Sequence, residues 1–567
     1  MKVIRPAKLN QMGSKISYTA ILLFLATCMG AQAPRENVLL LTDRGHYITG
    51  ETINYRAFYQ GPAESEEADW SKILYVELIM PNGTQQAQSK VALDSGGFSG
   101  SLLIPEGIAS GTYYLKAYTR WMRNCGQENY AYTSVRIYDP FIESVLPEDT
   151  TGWKASRPEA LLAPGSQQLD DLLECKLNET RIPSRQEVSA ELQWKDPQSS
   201  ANLTFSVSRS GLHGNQEYFR PGCQPGTSAT AAFLPETKGL TLSGRAVSAA
   251  NRTQAPYATI YVSVLGENRE FFCNYSDSSG RFYFSFPDYS GFRDLFVSTY
   301  HPDYGDLELL IDRDFSNDVP DLPSYPVEIN DSLSMAVTEM SVNAQISKQY
   351  YPEAPVENES DSVEGMMFYG TPAATIDFDD FIRLPTLEEY FIEVVPQVAV
   401  RKSRGQTRLV VLGPHHDLTI YPPLVMIDGV AIFDIGAILA VSPRLIDRIE
   451  IVNAPYIRGN VTFGGIISLI SKNNDLGYID LPSSGLLVQY QMLDGRVEPS
   501  PEGAGLPARF PDVRNTLYWN PEIKIRPGES RFIRFQTADQ GGAYEILIRG
   551  IDSTGRYLEK RIPFRVE

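Results

Sequence analysis

Three groups of residues in this sequence have the types to do chemistry. His415-His416-Asp417 sets two imidazoles beside a carboxylate, donor types that bind zinc or relay protons. Adjacent side chains on an extended segment point to opposite faces, so the triplet reads as an ordinary solvated loop. Cys125, Cys175, Cys223 and Cys273 could form two disulfides in three pairings. Their wide, irregular spacing fits neither a metal box nor a dense disulfide scaffold, and mostly unpaired core cysteines are expected. Asp43-Arg44 is a charge pair that reads as fixing a strand–turn–strand corner with Tyr47 and Gly50. No Gly-rich phosphate loop, H-E-x-x-H or G-x-S-x-G occurs. The many Asp and Glu are explained by an acidic surface. No catalytic, cofactor-binding or metal-ligating residue is assigned, no cofactor or small-molecule substrate is identified, and a non-enzymatic protein is expected.

The elements that would carry these groups are mostly strands. A chain of 567 residues exceeds the roughly 250–300 at which one core stops growing, so about three to five domains are expected. Its 31 Tyr, 43 Gly and 38 Pro suit many strands and turns. The net charge of -19 argues against a nucleic-acid partner, because phosphate binding needs clustered cations. Lys2, Arg5, Lys8 and Lys15 precede an apolar stretch, 18–27, as in a signal peptide over 1–33, with Met12 an alternative start. Cleavage at Ala31-Gln32-Ala33 would give soluble export to the periplasm or outer membrane. Leu25-Ala26-Thr27-Cys28 offers the alternative of a lipid anchor on Cys28.

Short strands with regular turns over 34–140 predict an antiparallel sandwich. The run "LLLTDRGHYITGETINYRAF … LYVELIMPNG … GFSGSLLIPEGIASGTYYLKAYTRWMRN" resembles the macroglobulin-type sandwich of alpha-macroglobulins, in the variant common in Bacteroidota envelope proteins. That family carries a thioester between a Cys and a Gln three residues on. Here Cys125-Gly126-Gln127-Glu128 has Glu at that position, so no thioester is expected. Alternating stretches at 188–194 and 201–207 predict a second, smaller sandwich over 141–235. Residues 236–315 resemble a non-catalytic carboxypeptidase-regulatory-like sandwich, with Asp277 and Gly280 shaping its D-x-x-G-x-F hairpin. An acidic linker is expected over 316–380, wrapping other domains. In this linker Asp331-Ser332-Leu333 and Asp361-Ser362-Val363 match a short Bacteroidota O-glycosylation pattern, as chance tripeptides also would. Residues 479–567 read as a terminal Ig-like sandwich.

The segment 381–478 differs. Thr386 ahead of Glu388 and Glu389, Asp434, and Ser442-Pro443 are helix-start signals alternating with strands, and Asp428-Gly429 is a hairpin signal. The order "PPLVMIDGVAI", "LAVSPRLIDRIEIVNAP" and "YIRGNVTFGGIISLISK" resembles the plug of TonB-dependent receptors. Such a plug fills a barrel of about 22 strands. Fewer than a hundred residues follow Lys472, too few for strands of about 9–11 residues each, so transport by this chain alone is not expected. The fold class expected is mainly β: tandem Ig-like or macroglobulin-type sandwiches plus one small α/β plug-like domain. The function expected is a cell-envelope scaffold engaging an outer-membrane partner, a receptor barrel or secretion pore. The alternative is an accessory ligand-binding protein for peptide or glycan uptake.

Overall fold

The structure is a computed structural model that describes residues 36–61, 70–94, 96–148, 172–214, 216, 218–219, 232–266, 269–301, 304–326, 331–350, 367–403, 406–500 and 509–567. It is mainly β, three sandwiches and one small α/β unit.

In the first sandwich, Asn37–Thr42, Thr52–Gln60 and Phe98–Leu103 face a sheet of Gln85–Ala92, Ile73–Ile79, Gly111–Tyr118 and Ala131–Tyr138. Ile73–Ile79 is buried at every position, so both faces of this sheet are covered. On the outer face Glu77 pairs with Lys116 Nζ at 2.8 Å. The chain at 313–326 lies over it: Tyr114 OH donates to Pro323 O at 2.7 Å, and Arg136 Nη1 to Pro326 O at 2.8 Å.

The second sandwich corrects the domain reading. Its sheets are Ser530–Gln536, Glu187–Trp194, Leu173–Leu177 and Arg181–Ile182, Tyr557–Val566, Gly542–Asp552, Ala201–Arg209, Thr516–Ile525. Val188 lies opposite Phe535, and Phe205 opposite Ile548. Trp194, Phe205, Phe535 and Ile546 share one core. The segments expected to form separate sandwiches at 141–235 and 479–567 are thus two halves of one. Neither half has enough strands to cover its own apolar faces, and a lone pair of strands is marginal in water.

The third sandwich pairs Arg281–Ser285, Thr241–Ser248 and Leu307–Ile311 with Glu270–Tyr275, Thr259–Val264, Phe292–Tyr300 and Leu486–Gln491. Its last strand also comes from the expected C-terminal domain. Its core is continuous with that of the first sandwich. Between Leu307–Ile311 and Leu486–Gln491 lies the α/β unit. Its sheet runs Ala374–Asp377, Ile446–Val452, Ile466–Ser471, Leu424–Ile427, Val430–Ala431, with helices Leu387–Glu393 and Ile435–Ala440.

The acidic linker is also corrected. Asp331–Tyr350 is a 20-residue helix, and Ala374–Asp377 already belongs to the α/β sheet. Met340 of the helix joins Ile48, Tyr138 and Leu212 in a small apolar cluster. Asp331-Ser332-Leu333 opens this helix, whereas 361–363 lies outside the described residues.

Candidate functional site

The α/β unit is organised by its caps and turns. Thr386 Oγ1 accepts from Glu389 N at 3.2 Å, and Asp434 Oδ1 from Gly436 N at 2.8 Å, so both side chains act as helix N-caps. Asp428 and Gly429 have φ of 47° and 84°, the two-residue turn that joins Leu424–Ile427 to Val430–Ala431. Asp428 then ties that turn to the next strand: Oδ1 accepts from Ser471 N at 2.9 Å and Oδ2 from Leu476 N at 2.8 Å. A Cβ on Gly464 would lie 2.2 Å from Tyr421 O, so the glycine pair 464–465 permits a backbone contact no other residue allows.

Both faces of the α/β sheet are covered by this chain. On one face Ile427, Ile449, Ile451 and Leu469 pack with Leu387, Tyr390, Phe391 and Ile438 from the helices. On the other, Leu424, Met426 and Ile466 form an apolar cluster with Tyr261, Phe271 and Cys273 of the third sandwich. The hairpin Tyr456–Arg458/Val461–Phe463 is pinned to that sandwich: Arg458 Nε donates to Phe271 O at 2.7 Å, and Arg458 Nη2 pairs with Glu270 at 3.2 Å.

What remains open is the ends of the sheet. Asp377 lies opposite Arg448, Arg448 opposite Ile470, and Ile427 beside Leu469, so the C-terminal ends of three strands meet at one end. Phe381, Ile382, Tyr478 and Leu481 are exposed in the loops just beyond it, Ile382 at 89% and Tyr478 at 77%. Lys472 bridges to Asp379 at 3.1 Å and closes the distance between those loops. Leu412, Ile420 and Tyr421 are exposed near the other end.

The chemistry-bearing residues go elsewhere. His415, His416 and Asp417 are exposed around a 3-10 turn, His416–Thr419, rather than on an extended segment. Among the described residues no group of three or more His, Cys, Asp or Glu could hold a metal. Cys125 is disulfide-bonded to a partner outside the described residues, which corrects the expectation of mostly unpaired cysteines for this one. Cys175 and Cys273 are free. Burial pushes both thiols up to about 12, which leaves them unreactive as nucleophiles. Asp277 Oδ1 accepts from Ser279 N at 2.7 Å and Arg281 N at 2.9 Å, and Gly280 follows with φ of 75°, a hairpin turn.

Asp43 and Arg44 are buried where the first sandwich meets the second. Tyr47 OH donates to Asp43 Oδ1 at 2.7 Å, Thr516 Oγ1 to Oδ2 at 2.6 Å, and Arg44 Nη2 pairs with Glu51 at 2.9 Å. Burial pushes the Asp43 carboxyl up despite Arg44 and these donors. The pair fixes the corner as its sequence suggests and also docks Thr516, a contact between residues 473 apart that local pattern does not reveal. Sequence reasoning missed a second buried acid. Glu236 accepts from Tyr75 OH and Thr241 N, each at 2.9 Å, with Arg120 at 3.7 Å.

No family model and no curated protein matches the chain. Solved structures give distant matches at low identity to β-sandwich proteins. Salmonella alpha-2-macroglobulin reacted with methylamine is 10% identical over 94% of this chain and 39% of that one, with a TM-score of 0.23. Escherichia coli alpha-2-macroglobulin activated by porcine elastase gives 8%, 94%, 44% and 0.22. Dimeric latent PorU from Porphyromonas gingivalis gives 10%, 48%, 33% and 0.15. The chain spans about two fifths of the length of these alpha-2-macroglobulins.

Proposed function

We propose that this chain is a non-enzymatic scaffold of the cell envelope whose α/β module engages an outer-membrane partner, a receptor barrel or a secretion pore. Export by the N-terminal signal, with Cys28 as an alternative lipid anchor, would bring it there. The observation that carries the reading is the exposure of Phe381, Ile382 and Tyr478 on a module whose sheet faces are already covered. Single exposed apolar side chains are common, and it is their gathering in the loops at one end of the sheet that supports an interaction surface.

The test places a photo-crosslinking residue at Ile382 or Tyr478 and, as control, at Phe532, which is exposed on the second sandwich. After irradiation of whole cells, one membrane-embedded protein should be captured from the first two positions and not from the third. Equal capture from all three, or none, overturns the proposal.

A second reading, ligand binding for peptide or glycan uptake, rests on an aromatic row. Tyr275 and Tyr300 both lie opposite Thr259 on neighbouring strands, hence on one face, and both are exposed. Spaced aromatic faces of this kind suit stacking on a flat apolar ligand surface. If this row is the working surface, Tyr275→Ala with Tyr300→Ala should abolish ligand uptake while the crosslinks from Ile382 persist.

A further inference from the structure

In a protein of net charge -19, the buried cations of the first sandwich have carboxylate partners: Arg44 with Glu51, Lys90 with Asp314, Lys116 with Glu77, Arg120 with Glu236. Arg136 is different. Its half-buried guanidinium donates to Pro326 O at 2.8 Å and has no carboxylate within ion-pair distance among the described residues. It lines a cavity of about 210 Å³ together with His46, Thr112, Gly214, Gln216 and Tyr325. Ligand pockets for drug-sized molecules run about 300–1,000 Å³, so this one suits something smaller.

His46 completes the charge environment. Its Nδ1 lies 2.9 Å from Tyr138 OH, which leaves Nε2 without a protein partner among the described residues. Burial first, then Arg136 and Arg44, pull this imidazole down to about 4. Among the described residues, the groups that act on it are the Arg136 guanidinium, the Arg44 guanidinium (itself paired with Glu51) and the Tyr138 phenol. Gly214 keeps the cavity open on the Nε2 side: it has φ of 59°, and a Cβ there would lie 2.6 Å from Nε2. Gln216 braces the wall, its Nε2 donating to Thr42 Oγ1 at 2.7 Å.

We propose that this cavity is a binding site for a small oxyanion, a carboxylate or phosphate group that pairs with Arg136 and accepts a hydrogen bond from protonated His46. A partly desolvated cation facing a cavity, with no counter-ion among the described residues, is an electrostatic vacancy that an anion fills, and a guanidinium binds such groups through two parallel N–H donors. The anion also offsets the part of the His46 shift that comes from Arg136 and Arg44, the smaller part beside burial, so binding and proton uptake reinforce each other, reciprocally.

The experiment follows the imidazole Cε1–H signals of the intact exported chain by NMR. There are five His in the sequence, and His46→Gln assigns the relevant signal. The probes are acetate and inorganic phosphate, with sodium chloride at matched ionic strength as reference. The expected result is a saturable shift of the His46 signal alone, with its titration midpoint moving upward. Response to acetate only assigns a carboxylate ligand, response to phosphate only a phosphate ligand. Arg136→Gln should weaken the response about tenfold or more, the scale of a lost charge-assisted hydrogen bond. Gly214→Ala, checked for an unchanged unfolding midpoint, should block it. No His46-specific response to either anion, or a response undiminished in folded Arg136→Gln, overturns the proposal.

Discussion

At the scale of single residues, the group with the clearest consequence is Glu236. Burial pushes its carboxyl up to about 7, against the lowering effects of Arg120, the Thr241 amide and Tyr75. A carboxyl whose folded value lies above its unfolded one binds protons more tightly when folded. Its contribution is therefore fully present below about pH 4.5 and is lost as pH rises through about 7. The difference corresponds to roughly 3 kcal/mol across that window. Glu236→Gln should flatten the fall in stability between these pH values, measured by denaturant unfolding at several pH values. An unchanged slope would show that Glu236 does not titrate there. His213 acts in the opposite sense. Burial pulls it down to about 3, so its contribution is present above about pH 6.5 and is lost as pH falls toward 3.

At the scale of elements, the helix Asp331–Tyr350 shows how tertiary contact overrides local preference. Its Ser, Thr, Val and Asn residues have middling to poor helix propensity, and its apolar stripe is narrow. Ala336, Met340 and Ala344 recur every four residues and pack on Ile48, Tyr138 and Leu212. Met340→Ala should cost about 2–5 kcal/mol. Hydrogen exchange should then accelerate over 331–350 and leave 424–471 unchanged. The contact between the α/β sheet and the third sandwich is the other decisive element. Phe271 lies fully buried there, with its ring 5.6 Å from Phe368 and 6.4 Å from Phe463. Phe271→Ala should lower stability by about 3–5 kcal/mol. It should also make the module susceptible to proteolysis while the second sandwich survives, as limited digestion would reveal.

At the scale of the whole molecule, the architecture is nested. The second sandwich is interrupted after Ala201–Arg209 and resumes at Thr516–Ile525. The third sandwich lies within that interval, and the α/β unit lies in turn within the third. The strands Ala201–Arg209 and Gly542–Asp552 pair along their lengths, so the second sandwich cannot close until most of the chain exists. Such non-local pairing is slow to form, because loop closure precedes the contacts that reward it. Deleting Tyr557–Val566 should therefore remove amide protection from Glu187–Trp194 and Ala201–Arg209, hundreds of residues away. A fragment covering 172–214 should be unfolded by circular dichroism. A folded fragment would mean that the two halves are independent after all.

Local pattern located many of the strands, though it reads Phe391–Val395 as extended where the helix Leu387–Glu393 runs. It also showed where Asp428-Gly429 and Asp277–Gly280 turn and that Thr386 and Asp434 begin helices, because turn chemistry and capping depend on residues within reach of one another along the chain. The mainly β class with one α/β unit follows from the same periodicities. Only the tertiary structure decided that 173–209 and 516–566 complete one sandwich, that Leu486–Gln491 belongs to another, and that a sandwich covers the open face of the α/β sheet. It also decided that Asp43 would meet Thr516 and that Arg136 would face a cavity with His46. Alternation says that a strand has an apolar face, but not which distant segment buries it, since many partners satisfy the same pattern and only the packed chain selects one.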